Sequence, residues 1–211
     1  MKTSNPDHNS TLRKKLRQLR QNQNQNNIRR GALRIRARLY TWLATQKLHM
    51  QEQGRDEILH VAAFWSLPEE PELQPLLNKW ALEDNGIELS LPCIEGDEAP
   101  LVFRPWDMDT PMRNGRYDIP EPDTDRLAPK PDIVLVPTLG FTRAGDRLGY
   151  GKGYYDRSLA ALKAAYHPFV SIGVAWACGD LGEQDYQPQP HDQPLDGILT
   201  DLGWAKPAPQ L

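Results

Sequence analysis

The sequence predicts an α/β fold, a single three-layer domain with a largely parallel central sheet and helices on both faces. Three observations lead there. Short apolar, β-branched runs alternate along the chain with stretches of helical period. One such run, Ile133, Val134, Leu135 and Val136, passes through a glycine-rich loop into a helix start. A chain of 211 residues also suits one domain with a sizeable core. Residues 1–11 are expected as a disordered arm, 12–204 as the folded domain and 205–211 as a tail.

From the N-terminus, Leu12, Leu16 and Leu19 form an apolar stripe on an otherwise basic helix, whose Arg and Lys side chains either meet an anion or are simply solvated. The Gln/Asn tract 21–27 reads as a connector. A second helix over 28–47 places Ile28, Ala32, Ile35, Leu39 and Trp42 or Leu43 on one face and Arg29, Arg30, Arg34, Arg36 and Arg38 on the other. That arginine density suits nucleic acid, but no recognised motif accompanies it, and the net charge is only −3.

Residues 60–65 read as a buried strand, followed by an acidic turn and a helix through Leu76, Leu77, Trp80 and Leu82. Glu70 stands just past a strand end, where α/β sheets meet ligands. Asn85 and Gly86 turn the chain into a strand over 87–92, with 101–106 beside it. The Pro/Gly/Asp-rich connection 108–131 is long enough to be a functional loop packed over a site. After the glycine loop come a helix from about Tyr155 to Ala165, an apolar strand over 169–176 and a shorter one over 195–200. Between them lies a polar loop containing Pro188, Pro190, His191 and Asp192.

Cys93 and Cys178 lack C-x-x-C spacing and read as buried thiols in a reducing compartment. No run is apolar enough to span a bilayer and no signal peptide is visible, so a cytoplasmic location is expected.

The chemistry concentrates at Gly149, Gly151 and Gly153. Glycines let backbone N–H groups converge on one oxygen, and a helix start adds its positive dipole end. Arg147 and Lys152 flank them, and Asp156 follows as a carboxylate suited to a metal. The loop therefore suits a phosphate, against the plainer reading of a surface turn with solvated charges. Its spacing matches neither the Walker A motif nor G-x-G-x-x-G.

The run from Arg147 through Leu148, Gly149, Tyr150, Gly151, Lys152, Gly153, Tyr154, Tyr155 and Asp156 to Arg157 resembles the signature of the 5-formyltetrahydrofolate cyclo-ligases, or methenyltetrahydrofolate synthetases. Other segments match in order: Asp132 to Pro137, then Gly140, Phe141 and Gly145; Ser66 with Glu70 four residues on; and His191, Asp192, Leu195, Asp196 and Thr200. The segment 117–122 resembles the family's Y-G-I-x-E-P, with Asp118 standing where Gly is usual.

The resemblance implies ATP- and Mg²⁺-dependent closure of 5-formyltetrahydrofolate to 5,10-methenyltetrahydrofolate. Arg147 to Tyr155 would bind the nucleotide, with Arg147, Lys152 and Tyr154 catalytic. Asp156 and Asp192 would hold magnesium, and Trp65, Glu70, Tyr150 and Tyr154 would meet the folate. The family's basic nucleotide contact, four residues before the Arg of an L-R pair, falls on Asn9 if the pair is Leu12-Arg13 and on Arg13 if it is Leu16-Arg17. Arg13 and Arg17 are its candidates. A monomer acting on a small molecule, without nucleic acid or membrane, is expected. The alternatives are a sugar-phosphate isomerase or acyl-transfer enzyme of similar architecture, and a nucleic-acid binder using the arginine-rich helices.

Overall fold

The computed structural model describes residues 6–55, 57–83, 86–182 and 186–211. Residues 1–5 of the expected arm, and Asn85 of the expected turn, lie outside them. In chain order the elements are α1 (Pro6–Gln21), α2 (Gln25–Glu52), β1 (Leu59–Ala62), α3 (Gln74–Leu82), β2 (Ile87–Cys93), β3 (Val102–Trp106), β4 (Met112–Asn114), β5 (Pro120–Pro122), β6 (Ile133–Pro137), β7 (Gly140–Phe141), β8 (Arg147–Leu148), α4 (Tyr154–Ala164), β9 (Val170–Ala175), β10 (Gly197–Thr200) and β11 (Gly203–Lys206).

The main sheet has the order β11-β10-β9-β6-β1-β2-β3. Its five inner strands pair in parallel, and β11 and β3 close the edges antiparallel. Side chains alternate across a strand, so β6 feeds two cores. Ile133 and Leu135 pack in one cluster with Ala32, Ile35, Leu39 and Leu43 of α2 and Leu77 and Trp80 of α3. Val134 and Val136 pack on the other side with Leu159 of α4. These are the three layers expected.

A third cluster joins Leu12 and Leu16 of α1 to Leu139, Leu148, Leu181 and Tyr186, docking α1 on the β7–β8 hairpin. Here the molecule departs from the sequence expectation. The helix begins at Pro6, so residues 6–11 of the expected arm are helical. Leu19 is exposed, and the buried stripe runs Leu12, Leu16, Arg20 instead. The i, i+4 spacing brings Arg20 round to the Thr138 and Leu139 carbonyls and the Tyr150 hydroxyl oxygen, which accept from it.

The Gln/Asn connector is also shorter than expected. Asn24 caps α2 by accepting from the Asn26 N–H at 2.8 Å, and helix resumes at Gln25. At the other end, Lys206 ends β11 and the Leu211 N–H donates to Gln46 Oε1 at 2.9 Å, so the tail is tied to the domain. Cys93 is buried and its thiol is pushed up to about 11, chiefly by burial, whereas Cys178 is only half-buried. No described helix is long and apolar enough to cross a membrane.

Two aspartates staple parallel neighbours at strand starts. Asp132 Oδ2 accepts from the His60 N–H of β1 at 2.8 Å. Asp196 Oδ2 accepts from both the Ser171 N–H (2.8 Å) and Ser171 Oγ–H (2.7 Å), fixing β10 beside β9. Loss of hydrogen bonds to a charged group costs about 1.5–3 kcal/mol each before relaxation. Asp196→Ala should therefore lower the unfolding free energy by roughly 2–3 kcal/mol in urea melts, with the far-UV spectrum unchanged in buffer.

Candidate active site

The site lies where the sheet's connections reverse. β1 continues through α3 to β2 on one side, and β6 continues through α4 to β9 on the other. A crevice opens beyond the carboxyl ends of such a strand pair. Here it is a cleft of about 390 Å³, reached by Phe64 and Trp65 after β1, Pro137 of β6, the glycine loop, α1 and the segment 117–121. Every residue expected at the site lines this cleft: Arg13, Arg17, Trp65, Glu70, the run from Arg147 to Asp156, and Asp192.

Side chains from its own surroundings pack closely on the glycine loop. A Cβ on Gly149 would collide with Arg147 Nη1, one on Gly151 would lie 3.3 Å from Arg13 Cζ, and one on Gly153 2.8 Å from Arg157 Nη1. Each glycine is thus overlaid by a guanidinium. Gly151 and Gly153 also hold φ of +95° and +69°, where a side chain is strained, and Gly153 leads directly into α4.

Arg147 lies against Asp156, with Nη2 donating to Oδ2 at 2.7 Å and both side chains largely buried. Arg13 Nε donates to the Gly149 carbonyl at 2.9 Å, and Arg17 lies over the Tyr150 ring. Burial lowers the pKa of Arg13, while Tyr186 and Asp192 oppose that shift by charge. Asn9, Arg13 and Arg17 all face the cleft. The two registers considered for the family contact therefore present one continuous helix face, with Asn9 at its outer end.

At the other end Glu70 is 5% exposed. A turn holds it: the Glu70 N–H donates to the Leu67 carbonyl, and Glu70 Oε2 accepts from the Leu67 N–H, both at 2.9 Å. Burial raises the Glu70 pKa, opposed by the Leu67 hydrogen bond, the Tyr150 hydroxyl and the Arg20 charge. Tyr150 and Tyr155 phenols are also raised, first by burial and then by Glu70. Trp65 meets Trp106 edge to face at 6.5 Å, giving the pocket an apolar wall.

The connection 108–131 does reach the cleft, through Tyr117, Ile119 and Glu121. Tyr117 and Asp118 both adopt left-handed backbone, φ +60° and +57°. The departure from glycine at Asp118 thus falls where glycine is conformationally easiest. Aspartate is among the residues that tolerate this region best, and Asn114 Nδ2 donates to its Oδ1 at 3.0 Å. Tyr117 in turn lies beside Lys152, whose Nζ is 5.8 Å from the ring centroid.

Asp156 and Asp192 line the same end of the cleft. Each also serves the local backbone. Asp156 Oδ1 accepts from the Gln193 N–H at 3.2 Å, and Asp192 Oδ2 closes a turn by accepting from the Gln189 N–H at 2.7 Å. Among the described residues no group of three or more His, Cys, Asp or Glu side chains could hold a metal. Two carboxylates suit magnesium when phosphate oxygens and water complete its shell, so the pair fits an ion that arrives with a nucleotide.

Sequence reasoning missed Tyr186 and Glu121, which also line the cleft. Tyr186 donates to the Arg147 carbonyl at 2.9 Å from a loop without periodicity. Glu121 is buried and accepts from the Ile94 N–H at 3.0 Å. It stood inside the matched 117–122 segment, which was its available signal.

A family model described as the 5-formyltetrahydrofolate cyclo-ligase family matches residues 5–201. The chain belongs to that family. The family's member from Escherichia coli strain K12, named 5-formyltetrahydrofolate cyclo-ligase, is 33% identical over 145 residues, covering 66% of this chain and 76% of that protein. The Haemophilus influenzae cyclo-ligase is 33% identical over 105 residues, 47% of this chain and 54% of that protein, so the chain matches about half of that relative's length. The solution structure of Aquifex aeolicus 5,10-methenyltetrahydrofolate synthetase superposes with a TM-score of 0.74 at 25% identity, covering 96% of this chain and 95% of that one.

A raised Glu70 pKa makes a signed prediction. A group whose folded pKa lies above its unfolded value supports folding below the unfolded pKa and loses that contribution as pH rises through the folded one. Glu70→Gln should therefore gain thermal stability relative to the parent as pH rises above the ordinary carboxylate range. Parallel melts of the ligand-free proteins between pH 4 and pH 8 test it; a pH-independent difference would contradict it.

Proposed function

We propose that this protein closes 5-formyltetrahydrofolate to 5,10-methenyltetrahydrofolate, splitting ATP to ADP and phosphate with magnesium. The observation that carries the reading is that one cleft combines an arginine-lined glycine loop with a buried carboxylate, with Tyr150 lining the space they share. The names of the relatives support the same substrate and product.

In this reading Glu70 accepts hydrogen bonds from the pterin and Trp65 covers its face. The glycine loop, Arg13, Arg17 and Arg147 bind the triphosphate. Asp156 and Asp192 would hold magnesium, which neutralises phosphate charge when bound. The formyl oxygen then takes the γ-phosphoryl group while the bond to ADP breaks. Lys152 stabilises the charge on the transferred group, and Tyr154 orients the formyl carbon. N10 attacks that carbon, the carbon–oxygen bond breaks, and phosphate leaves with the ring closed. An amide oxygen is a poor leaving group until phosphorylated, and catalysis by positioning and charge is what such a site supplies. The reading makes the protein a cytoplasmic monomer.

Purified protein given 5-formyltetrahydrofolate and MgATP should produce the methenyl chromophore and ADP in equal amounts; neither product would defeat the proposal. Lys152→Ala should lower kcat on the order of a hundredfold with folding intact. Asp192→Asn should raise the magnesium concentration needed for half-maximal rate.

A further inference from the structure

Arg157 stands in the first turn of α4 and has no part in the scheme above, yet it ties separate stretches of the chain together. Its Nη2 donates to the Lys152 carbonyl at 2.9 Å and to the Asp97 carbonyl at 3.2 Å, and its Nε donates to the Ala99 carbonyl at 3.2 Å. The guanidinium also lies over the Tyr154 ring, 5.1 Å from the centroid, and beside Gly153. Five donors in a planar fork let one side chain serve several carbonyls at once, which a lysine does not match.

Asp97, whose backbone Arg157 grips, sends its own carboxylate to Arg116. Arg116 belongs to the tip 115–119 of the β4–β5 hairpin, and the Tyr117 ring next to it stands beside Lys152 Nζ. The contacts therefore form a ring, from the Lys152 carbonyl through Arg157, Asp97, Arg116 and Tyr117 back to the Lys152 side chain. The left-handed backbone of Tyr117 and Asp118 persists only where its surroundings hold it. Among the groups that hold the tip, Asp97 and Lys152 are both fixed by Arg157. An exposed ion pair such as that of Arg116 with Asp97 contributes little by itself. Anchoring the Asp97 backbone removes part of the ordering cost that makes such pairs weak.

We propose that Arg157 is a positioning residue, a brace that holds Lys152 in the cleft and, through Asp97 and Arg116, holds the hairpin tip with Tyr117 against it. The proposal rests on the reading of Lys152 as the group that meets the transferred phosphoryl, and adds that this wall of the cleft and the hairpin tip are held by one side chain. Removing Arg157 frees both. Cutting the ring at the Asp97 carboxylate frees the tip alone, because the Asp97 and Ala99 carbonyls still accept from Arg157.

Amide hydrogen exchange on the ligand-free full chain, read by mass spectrometry, reports on both walls. In Arg157→Met, which keeps an unbranched stem, exchange should speed up about tenfold in peptides covering 113–119 and 150–153. In Asp97→Asn the first peptide should speed up and the second keep the parent rate. The double variant should match Arg157→Met, since both changes break one ring. Turnover supplies the second readout: kcat in Arg157→Met should fall about tenfold at saturating 5-formyltetrahydrofolate and MgATP, with KM for the folate little changed and part of kcat recovered in Arg157→Lys.

An unmoved 113–119 peptide in Arg157→Met would overturn the brace even if activity fell, and so would faster exchange spread evenly over the chain, which marks a merely structural residue. If Arg157→Met does not fold, Asp97→Asn decides, and an unmoved tip in that variant would overturn the proposal. The expected exchange pattern in a parent protein that does not turn over the folate would support the brace and count against the proposed function alone.

Discussion

The contact between an arginine-bearing helix and a loop in which every second residue is glycine is what the rest of the site depends on. Gly149, Gly151 and Gly153 themselves bring no side chain to pack, and glycine loses more conformational freedom on ordering than any other residue. The guanidinium groups of Arg147, Arg13 and Arg157 fill the space beside them. Leu12 and Leu16 hold α1 against the hairpin that leads into the loop, and Arg13 is tied to the Gly149 carbonyl. The loop is thereby shaped before any anion arrives, which is the condition under which fixed charges contribute most to a transition state.

Concentrating cations in this way requires balance. Arg147 is paired with Asp156 at 2.7 Å, and Asp192 faces Arg13 electrostatically. The same two carboxylates are those assigned to magnesium in the proposed function, which would place structural and ligand-binding roles on the same side chains. At the opposite end, burial pushes the Glu70 pKa up. A backbone N–H, a phenol and a buried arginine oppose that tendency. Tyr150 lies in the cleft shared by the two ends: Arg17 lies over its ring and Arg20 donates to its hydroxyl oxygen at 2.8 Å.

Much of this was legible in the sequence, for physical reasons. The β-branched run at 133–136 and the apolar run ending in Ala175 are parallel strands buried on both faces, which leave a continuous apolar signature. Gly149, Gly151 and Gly153, interleaved with Lys152 ahead of Asp156, marked a stretch where backbone N–H groups can converge on an anion. What stayed hidden lacks a local signal. Strands of two residues, such as those at Gly140 and Arg147, show no period. Leu19 and Arg20 exchange places because the partners that bury Arg20 lie 118–130 residues away. The left-handed pair at Tyr117 and Asp118 depends on Asn114 and on packing over the cleft, and only the departure from glycine pointed to it.

Phosphoryl transfer between two substrates held in one cleft is the claim on which the proposed chemistry stands or falls. The most direct measurement supplies 5-formyltetrahydrofolate labelled with ¹⁸O in the formyl group, together with MgATP, and weighs the phosphate released. One labelled oxygen is predicted in each phosphate formed alongside the methenyl product. Methenyl product accompanied by unlabelled phosphate, with the label recovered in water, would contradict it.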